Sequence, residues 1–207
     1  MCGIVGFINR NNNINIDSIN TINNLTNHLT HRGPDYKDTY IDKHNSIFFG
    51  HSRLSILDLS ANGNQPMKSN KGRYVILYNG EIYNHLELRG DLEKKGYVFK
   101  TKSDTETVLL AFEEYGPQCV ERFNGIFAFA IWDTKKKSLF LARDPLGVKP
   151  LYLSSIEGGL AFASEAKALL GLLPNGAHPN WATLYQFFSY GYVPSPESPF
   201  EKISNHL

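Results

Sequence analysis

Short hydrophobic runs alternate with polar segments along most of this chain, and several runs are too short for anything but β-strands. They lie at Cys2–Ile8, Ser46–Phe49, His51–Leu57, Arg73–Tyr78, Ile126–Trp132, Ser138–Ala142, Leu151–Leu153 and Leu160–Ala163. The polar stretch 133–137 between the fifth and sixth runs predicts a hairpin. The first run is almost wholly apolar, which predicts a buried strand that brings the N-terminus into the fold.

Three other segments have helical features. After a polar loop at Asn9–Asn15, Ile and Leu recur at helical spacing over 16–29, so one face of that helix is expected to pack inward. Glu81–Lys95 is predicted to be helical, with Gly96 as its C-terminal cap. Ser103–Glu106 forms a capping box before an apolar run and predicts the start of a third helix.

The order of these elements favours a layered α+β domain over a regular β-α-β succession. Strands outnumber helices, and helices come in pairs between groups of strands. After Gly171 the composition changes, and five prolines flank one helical patch at Trp181–Tyr190. We therefore divide the chain into a domain at 2–170 and a segment at 171–207 that is a linker and the incomplete start of a second domain.

Composition narrows the classes of function. The chain has 207 residues, 42% hydrophobic and 20% charged, with a net charge of +1, so no overall field favours nucleic acid or an acidic membrane. The apolar stretch Gly3–Ile8 is too short for a signal peptide or a membrane span. Cys2 and Cys119 form no disulfide framework and no zinc-binding pattern. We expect a cytoplasmic protein without a metal site.

Cys2 is the first candidate for chemistry. A small residue after Met1 permits removal of the initiator methionine, which would place a thiol and a free α-amino group on one residue. An N-terminal amine titrates near pH ~7.7–8 and can activate a nucleophile beside it. The alternative is a cysteine that only fills space in a buried strand.

Hydrolysis of an amide in a free amino acid would need charged partners for the substrate and donors for the oxyanion. Arg53 could bind a carboxylate through two hydrogen bonds, or it could be a surface residue. Asn79 and Gly80 could form an oxyanion hole, or an Asn-Gly hairpin turn. Asp104 and Glu81 could bind an ammonium group, or could simply begin helices.

Taken together, the motifs resemble a known family. They are Met1–Gly6, His31–Asp35, His51–Ile56, Tyr78–Asn84 and Ser103–Glu106. In this order they are similar to the glutaminase domain of class II glutamine amidotransferases, which are N-terminal-nucleophile hydrolases with a four-layer αββα fold. Three further segments resemble the asparagine synthetase branch: Phe123–Asp133, Ala142–Tyr152 and Phe162–Leu169.

The resemblance implies a role for each candidate. Cys2 would be the nucleophile, and Asn79 and Gly80 would stabilise the oxyanion. Arg53 would bind the α-carboxylate of L-glutamine, while Asp104, with Glu81 nearby, would hold its α-ammonium. The segments His31–Asp35 and 143–152 are interpreted as having a structural role. No cofactor is expected for the glutaminase reaction.

The chain departs from the family after about Phe200. Asparagine synthetases continue into an ATP-dependent domain with a Ser-Gly-Gly-x-Asp-Ser type of loop, and no such run occurs here. ATP and Mg²⁺ would therefore act only through a synthetase domain or subunit outside this chain. Two alternatives stay open: a non-catalytic fragment or partner subunit, and an amidotransferase for another carboxylate acceptor. Either way, Trp181, Phe187 and Phe188 are expected to be exposed.

Overall fold

The protein is described here by a computed structural model covering residues 1–9, 16–173 and 177–206, with the side chains of residues 16 and 17 excepted. The predicted polar loop at Asn9–Asn15 falls almost entirely outside these residues. The strands are β1 Gly3–Asn9, β2 Tyr36–Asp42, β3 Ile47–Arg53, β4 Met67–Lys68, β5 Tyr74–Ile82, β6 Gly125–Asp133, β7 Ser138–Arg143, β8 Tyr152–Ile156, β9 Gly159–Ala163 and β10 Ile203–Asn205. The helices are α1 Ile16–Asn27, α2 His85–Lys94, α3 Asp104–Tyr115 and α4 Trp181–Tyr190.

The strands form two antiparallel sheets. The larger sheet has the order β10-β8-β9-β1-β3-β2, so β1 lies in its interior between β9 and β3. The smaller sheet has the order β4-β5-β6-β7, with β5 and β6 paired along their whole length. The N-terminal residues are therefore fixed on both sides by neighbouring strands, as their apolar sequence predicts.

Three apolar clusters separate four layers. Between the sheets lie large side chains such as Phe49, Trp132 and Phe162, all almost completely buried. Outside the larger sheet, α1 buries Ile22 and Leu25 against it. Outside the smaller sheet, α2 and α3 cover a second cluster. Burial of apolar surface at each interface stabilises the stack, and the expected αββα sandwich is confirmed.

One predicted helix begins in the wrong place. The sequence predicts a helix from Glu81, but β5 continues through Asn79, Gly80 and Glu81 to Ile82, and α2 begins only at His85. Asn79–Gly80 is thus neither a hairpin turn nor a helix start. Polar residues and glycine interrupt the apolar pattern of β5, although all of them remain paired with β6.

Two other predictions about strands need correction. The runs Ser46–Phe49 and His51–Leu57 belong to one strand, β3, which passes through Gly50 and ends at Arg53. Strand β2 was not predicted, because its sequence is mostly polar and it forms an edge of the sheet with most side chains partly or fully exposed. Edge strands lack the apolar alternation on which such predictions depend.

The C-terminal segment contributes to the fold. Strand β10 pairs with β8 at the edge of the larger sheet, and His206 N–H donates to the Leu151 carbonyl at 2.7 Å. Helix α4 presents aromatic side chains outward, and Trp181, Phe187 and Phe188 are exposed as expected. The division of the chain near residue 170 stays a prediction.

Candidate active site

One pocket contains all of the residues that the sequence singles out for chemistry. Its lining includes Cys2, Arg53, Asn79, Gly80, Glu81 and Asp104. These residues come from β3, β5, the start of α3 and the residue before β1. The fold therefore brings together side chains that are up to 102 positions apart in sequence.

The pocket lies at one end of the layer between the two sheets. Side chains alternate faces along a strand, so Cys2 shares its face with Ile4, and Asn79 shares its face with Val75 and Leu77. Ile4, Val75 and Leu77 all belong to the apolar cluster between the sheets. Cys2 and Asn79 thus lie on opposite sheets at the end of this layer, where the apolar residues are followed by polar ones.

The thiol of Cys2 is held by the backbone of one residue. It lies 3.6 Å from the Leu54 carbonyl oxygen, to which it donates, and 3.4 Å from the Leu54 N–H, which donates to sulfur. Burial raises the pKa of the Cys2 thiol, while the Leu54 contact, the nearby amino terminus and Arg53 act in the opposite direction. A donor aimed at sulfur stabilises a thiolate, so Leu54 partly offsets the cost of burying the charged form.

The backbone of Cys2 is anchored as well. Arg32 donates from Nε to the Cys2 carbonyl at 3.0 Å and from Nη1 to Glu165 at 3.1 Å. Glu165 also contacts His31 at 2.8 Å and Lys167 at 3.1 Å. Burial acts to raise the pKa of Glu165, but these hydrogen bonds outweigh it and lower the value. The His31-Arg32 pair thus supports the position of Cys2.

Asn79 has a polar group without a partner. Its side chain is 1% exposed, and Nδ2 makes no hydrogen bond to any described residue. An unsatisfied buried donor costs ~1–3 kcal/mol. Because Asn79 lines the pocket, this amide is positioned to donate to a ligand.

The backbone N–H of Gly80 points toward the same edge. In an antiparallel ladder, alternate residues direct their N–H groups to opposite sides. Tyr83 bonds to Asn124 just beyond β5, so odd-numbered residues of this strand face β6. Even-numbered residues face away: Tyr78 N–H donates to Gln65 and Ile82 N–H donates to Asp104. Gly80 lies between them, and its N–H has no acceptor among the described residues.

Glycine at position 80 is required by close packing. A Cβ there would lie 2.5 Å from the Ile126 carbonyl oxygen and 2.8 Å from two Phe127 atoms. A side chain would therefore push β5 away from β6 and displace the neighbouring Asn79 amide. The Asn79-Gly80 pair offers two donors, one from a side chain and one from the backbone, which is the composition of an oxyanion hole.

Arg53 is buried, and the loop after β3 holds its guanidinium. Nη1 donates to the Ser60 carbonyl at 2.8 Å and to Asn64 Oδ1 at 2.7 Å, and Nη2 donates to the Asp58 carbonyl. Three of the five N–H groups are thereby used. The remaining two, on Nε and Nη2, are available to a carboxylate. Gly63 permits this arrangement, since a Cβ there would lie 2.3 Å from Nη2.

Asp104 supplies a buried carboxylate. Its Oδ2 accepts hydrogen bonds from the Tyr78 hydroxyl at 2.7 Å and from the Ile82 N–H at 3.1 Å. Burial raises the pKa of Asp104, and these hydrogen bonds act against the increase. Glu81 lies at the exposed rim of the same pocket. The pocket thus holds two carboxylates for a cation and a guanidinium for an anion.

Several pocket residues were not predicted from the sequence. Leu54 acts through its backbone, and Gln65 acts by bonding both the N–H and the carbonyl of Tyr78, at 2.6 and 3.2 Å. Lys149 lines the pocket from the segment interpreted only as architecture. Leu54 and Lys149 lie within motifs that the sequence singles out, His51–Ile56 and 143–152, but a side-chain pattern does not predict a backbone contact.

His51 lies beneath the pocket in the layer between the sheets. It is completely buried, with Nε2 3.4 Å from the Tyr78 carbonyl oxygen and no partner for Nδ1 among the described residues. Burial lowers the pKa of His51 to about 3. A carbonyl can only accept, so Nε2 carries the proton and the ring is neutral at physiological pH.

Comparison with known proteins agrees with this geometry. A family profile described as a glutamine amidotransferase domain matches residues 1–207. The chain belongs to this glutamine amidotransferase family. Among curated relatives, "Asparagine synthetase [glutamine-hydrolyzing] 1" of Bacillus subtilis is 40% identical over 199 residues, which are 96% of this chain and 31% of that protein. A "Putative asparagine synthetase [glutamine-hydrolyzing] 2" of Methanocaldococcus jannaschii is 38% identical, over 97% of this chain and 41% of that protein.

The amidotransferase chain thus spans about a third of the length of these relatives. Among solved structures, a Bacillus subtilis glutamine phosphoribosylpyrophosphate amidotransferase complexed with ADP and GMP superposes with a TM-score of 0.63. It is 21% identical and matches 81% of this chain and 43% of that one. At this identity the likeness concerns the fold alone, and it confirms the layered sandwich of two sheets between helices.

Two features are absent from the described residues. None of their helices is long and apolar enough to cross a membrane. In the same ranges, no group of three His, Cys, Asp or Glu side chains is placed to share a metal ion.

Proposed function

We propose that this domain hydrolyses L-glutamine to glutamate and ammonia through a thioester on Cys2. The single observation that carries the proposal is the unpaired, buried Nδ2 of Asn79 in the pocket that holds Cys2. A donor of this kind, beside a nucleophile and the free N–H of Gly80, is suited to an acyl-transfer intermediate. The family and the names of the relatives support glutamine as the substrate.

The reaction needs Met1 to be removed first, because the amine of Cys2 is otherwise part of a peptide bond. The freed amine takes the thiol proton, and Sγ attacks the side-chain amide carbon of glutamine. Asn79 and Gly80 donate to the oxyanion that forms. The amine then returns its proton to the leaving nitrogen, the carbon–nitrogen bond breaks, and ammonia departs from a γ-glutamyl thioester.

Hydrolysis completes the cycle. Water attacks the thioester carbonyl as the amine takes one of its protons, and the same two donors hold the second oxyanion. The carbon–sulfur bond breaks, glutamate leaves, and the thiol is restored. The reaction consumes one glutamine and one water, and it requires no cofactor.

The charged residues explain selection of a free amino acid. The two unused N–H groups of Arg53 match the α-carboxylate in a bidentate arrangement. Asp104, with Glu81 at the rim, balances the α-ammonium. A glutamine within a peptide lacks both charges and would leave buried Arg53 and Asp104 without the counter-charges that free glutamine supplies, which is costly for buried groups.

The use of the ammonia extends the proposal. The relatives are named glutamine-hydrolysing asparagine synthetases. We propose that the ammonia serves ATP-dependent formation of asparagine from aspartate, by a synthetase domain or subunit that would bring ATP and Mg²⁺. The exposed aromatic face of α4, with Trp181 and Phe188 at 74% and 83% exposure, supports such a partner. Another carboxylate acceptor is the alternative. We place the protein in the cytoplasm.

The test is release of ammonia and glutamate from free glutamine by protein whose loss of Met1 is verified by intact mass. We expect equal amounts of the two products, and none from Cys2→Ala. Activity that survives in Cys2→Ala would overturn the proposal. The proposal would also be overturned if correctly processed, folded protein had no activity, both alone and with a synthetase partner added.

A further inference from the structure

Lys149 is the one cation of the described pocket lining that no carboxylate or carbonyl holds. It is half-buried, and its ammonium makes no ion pair with a described residue. Its polar side-chain contact is Met1 Sδ, 3.3 Å from Nζ. The Lys149 ammonium therefore lies beside the N-terminal residue without a counter-charge among the described residues.

The backbone around Lys149 is fixed at both ends of the residue. Asp144 Oδ2 accepts the Lys149 N–H at 2.9 Å, and Arg143 Nε donates to the Lys149 carbonyl at 2.8 Å. Arg143 also holds the Gly147 carbonyl at 2.6 Å, and a Cβ on Gly147 would lie 2.7 Å from that guanidinium. These hydrogen bonds fix the loop in a conformation in which Lys149 lines the pocket.

We propose that Lys149 is a positioning residue whose ammonium shares the pocket with the amine exposed by removal of Met1 and favours the reactive, unprotonated forms of the Cys2 amine and thiol. A neighbouring positive charge lowers the pKa of an ammonium and the pKa of a thiol. Both changes increase the unprotonated fraction of the Cys2 amine and thiol at a given pH. This inference rests on the proposed function, because it concerns the nucleophile of that reaction.

Other charged groups also act on Cys2. Arg32, from the turn after α1, is bonded to the Cys2 carbonyl and paired with a carboxylate. Arg53, on β3, bonds only uncharged oxygens of the loop that follows it, so it keeps its charge and acts to lower the pKa of the Cys2 thiol. Asp104, on α3, acts in the opposite direction, and Glu81, on β5, is also negative. Lys149 would therefore add a second positive charge that acts in the same direction as Arg53.

The experiment compares Lys149→Met, Lys149→Arg and the exposed control Lys135→Met, all as protein that has lost Met1. The first readout is the pH dependence of Cys2 alkylation by iodoacetamide, followed by mass spectrometry with Cys2→Ala as background. Cys119 is completely buried and should not react. The second readout is the acidic limb of kcat/KM for glutamine.

We expect Lys149→Met to move both midpoints upward by about half to one pH unit, the size appropriate to a partly exposed charge. Lys149→Arg and Lys135→Met should match the parent protein. A Lys149→Met alkylation profile that overlies the parent would overturn the inference even if glutamine hydrolysis is normal. A shifted alkylation profile in protein without glutaminase activity would support the inference and count against the proposed function.

Discussion

The side-chain amide of Gln65 spans the backbone of Tyr78, accepting its N–H at 2.6 Å and donating to its carbonyl at 3.2 Å. Gln65 thus occupies the place that a further residue of β4 would take beside β5. The short strand β4 pairs only with Val75 and Ile76. Because this edge is closed at Tyr78 and again at Ile82, the N–H of Gly80 is left as the open position between them.

The oxyanion donor on Asn79 can be tested directly. Asn79→Ala should lower kcat for glutamine by about 10²–10³-fold with little change in KM, because the lost hydrogen bond forms only as charge develops on oxygen. Asn20→Ala, at an exposed position on α1, is the matched control and should behave like the parent. An effect on KM alone would contradict an oxyanion role for Asn79.

Arg53→Lys should mainly weaken recognition of glutamine. A lysine supplies a point charge but not the fork needed for bidentate binding, so we expect kcat/KM to fall about 10–10²-fold, chiefly through KM. Arg73→Lys is a useful comparison, because Arg73 forms a bidentate pair with Asp133 at 3.1 and 2.7 Å and does not line the pocket. Its KM should stay unchanged; equal KM effects in both variants would argue against substrate binding by Arg53.

Two glycine substitutions should have opposite effects on stability. Gly80→Ala forces a Cβ to within 2.5 Å of the Ile126 carbonyl and should lower the free energy of unfolding by about 1–3 kcal/mol. Gly90→Ala, in α2 with nothing within 4 Å of the added carbon, should raise it by about 0.4–1 kcal/mol. Denaturant unfolding measures both, and a neutral Gly80→Ala would refute the close approach of β5 and β6.

Buried His51 should make stability depend on pH. Its folded pKa is lowered to about 3 from 6.5, so the unfolded chain binds the proton first as pH falls. Its stabilising contribution is fully present above about pH 6.5 and decreases below it. Between about pH 7.5 and pH 5 the loss should be about 2 kcal/mol.

The control for this prediction is a pair of variants followed by denaturant unfolding at several pH values. His51→Gln should flatten the dependence of the unfolding free energy on pH across that window, even if it lowers stability throughout. His44→Gln, at an exposed position, should keep the slope of the parent. Parallel slopes for all three proteins would mean that His51 does not titrate between the two states.

The sequence identified the chemistry of the site better than its geometry. Cys2, Arg53 and Asp104 were found because reactive or charged residues recur in recognisable motifs, and the structure places them in one pocket. The sequence predicts a helix from Glu81 and leaves a hairpin turn open at Asn79-Gly80, whereas all three residues continue β5. The pattern fails there because the pocket requires polar residues and glycine where a strand would ordinarily carry apolar ones. The residue types that the pocket requires therefore replace the apolar pattern by which a strand is predicted.

Contacts made by the backbone were beyond prediction. The two hydrogen bonds between Leu54 and the Cys2 thiol depend on the register of β1 against β3, and the bridge from Gln65 to Tyr78 depends on the register of β4 against β5. Side-chain periodicity reports which face of a strand is buried, but it does not report which distant main-chain group will lie opposite. Strand β2 was missed for a different reason, since its exposed edge position permits a polar sequence.

The guanidinium of Arg143 has a mechanical consequence. Besides the Gly147 and Lys149 carbonyls, it binds the carbonyl of His206 at 2.7 Å, so one rigid planar group joins the pocket loop to the residue after β10. A displacement of the C-terminal segment would therefore be expected to reach the pocket loop through Arg143, at the end of β7, as well as through the sheet.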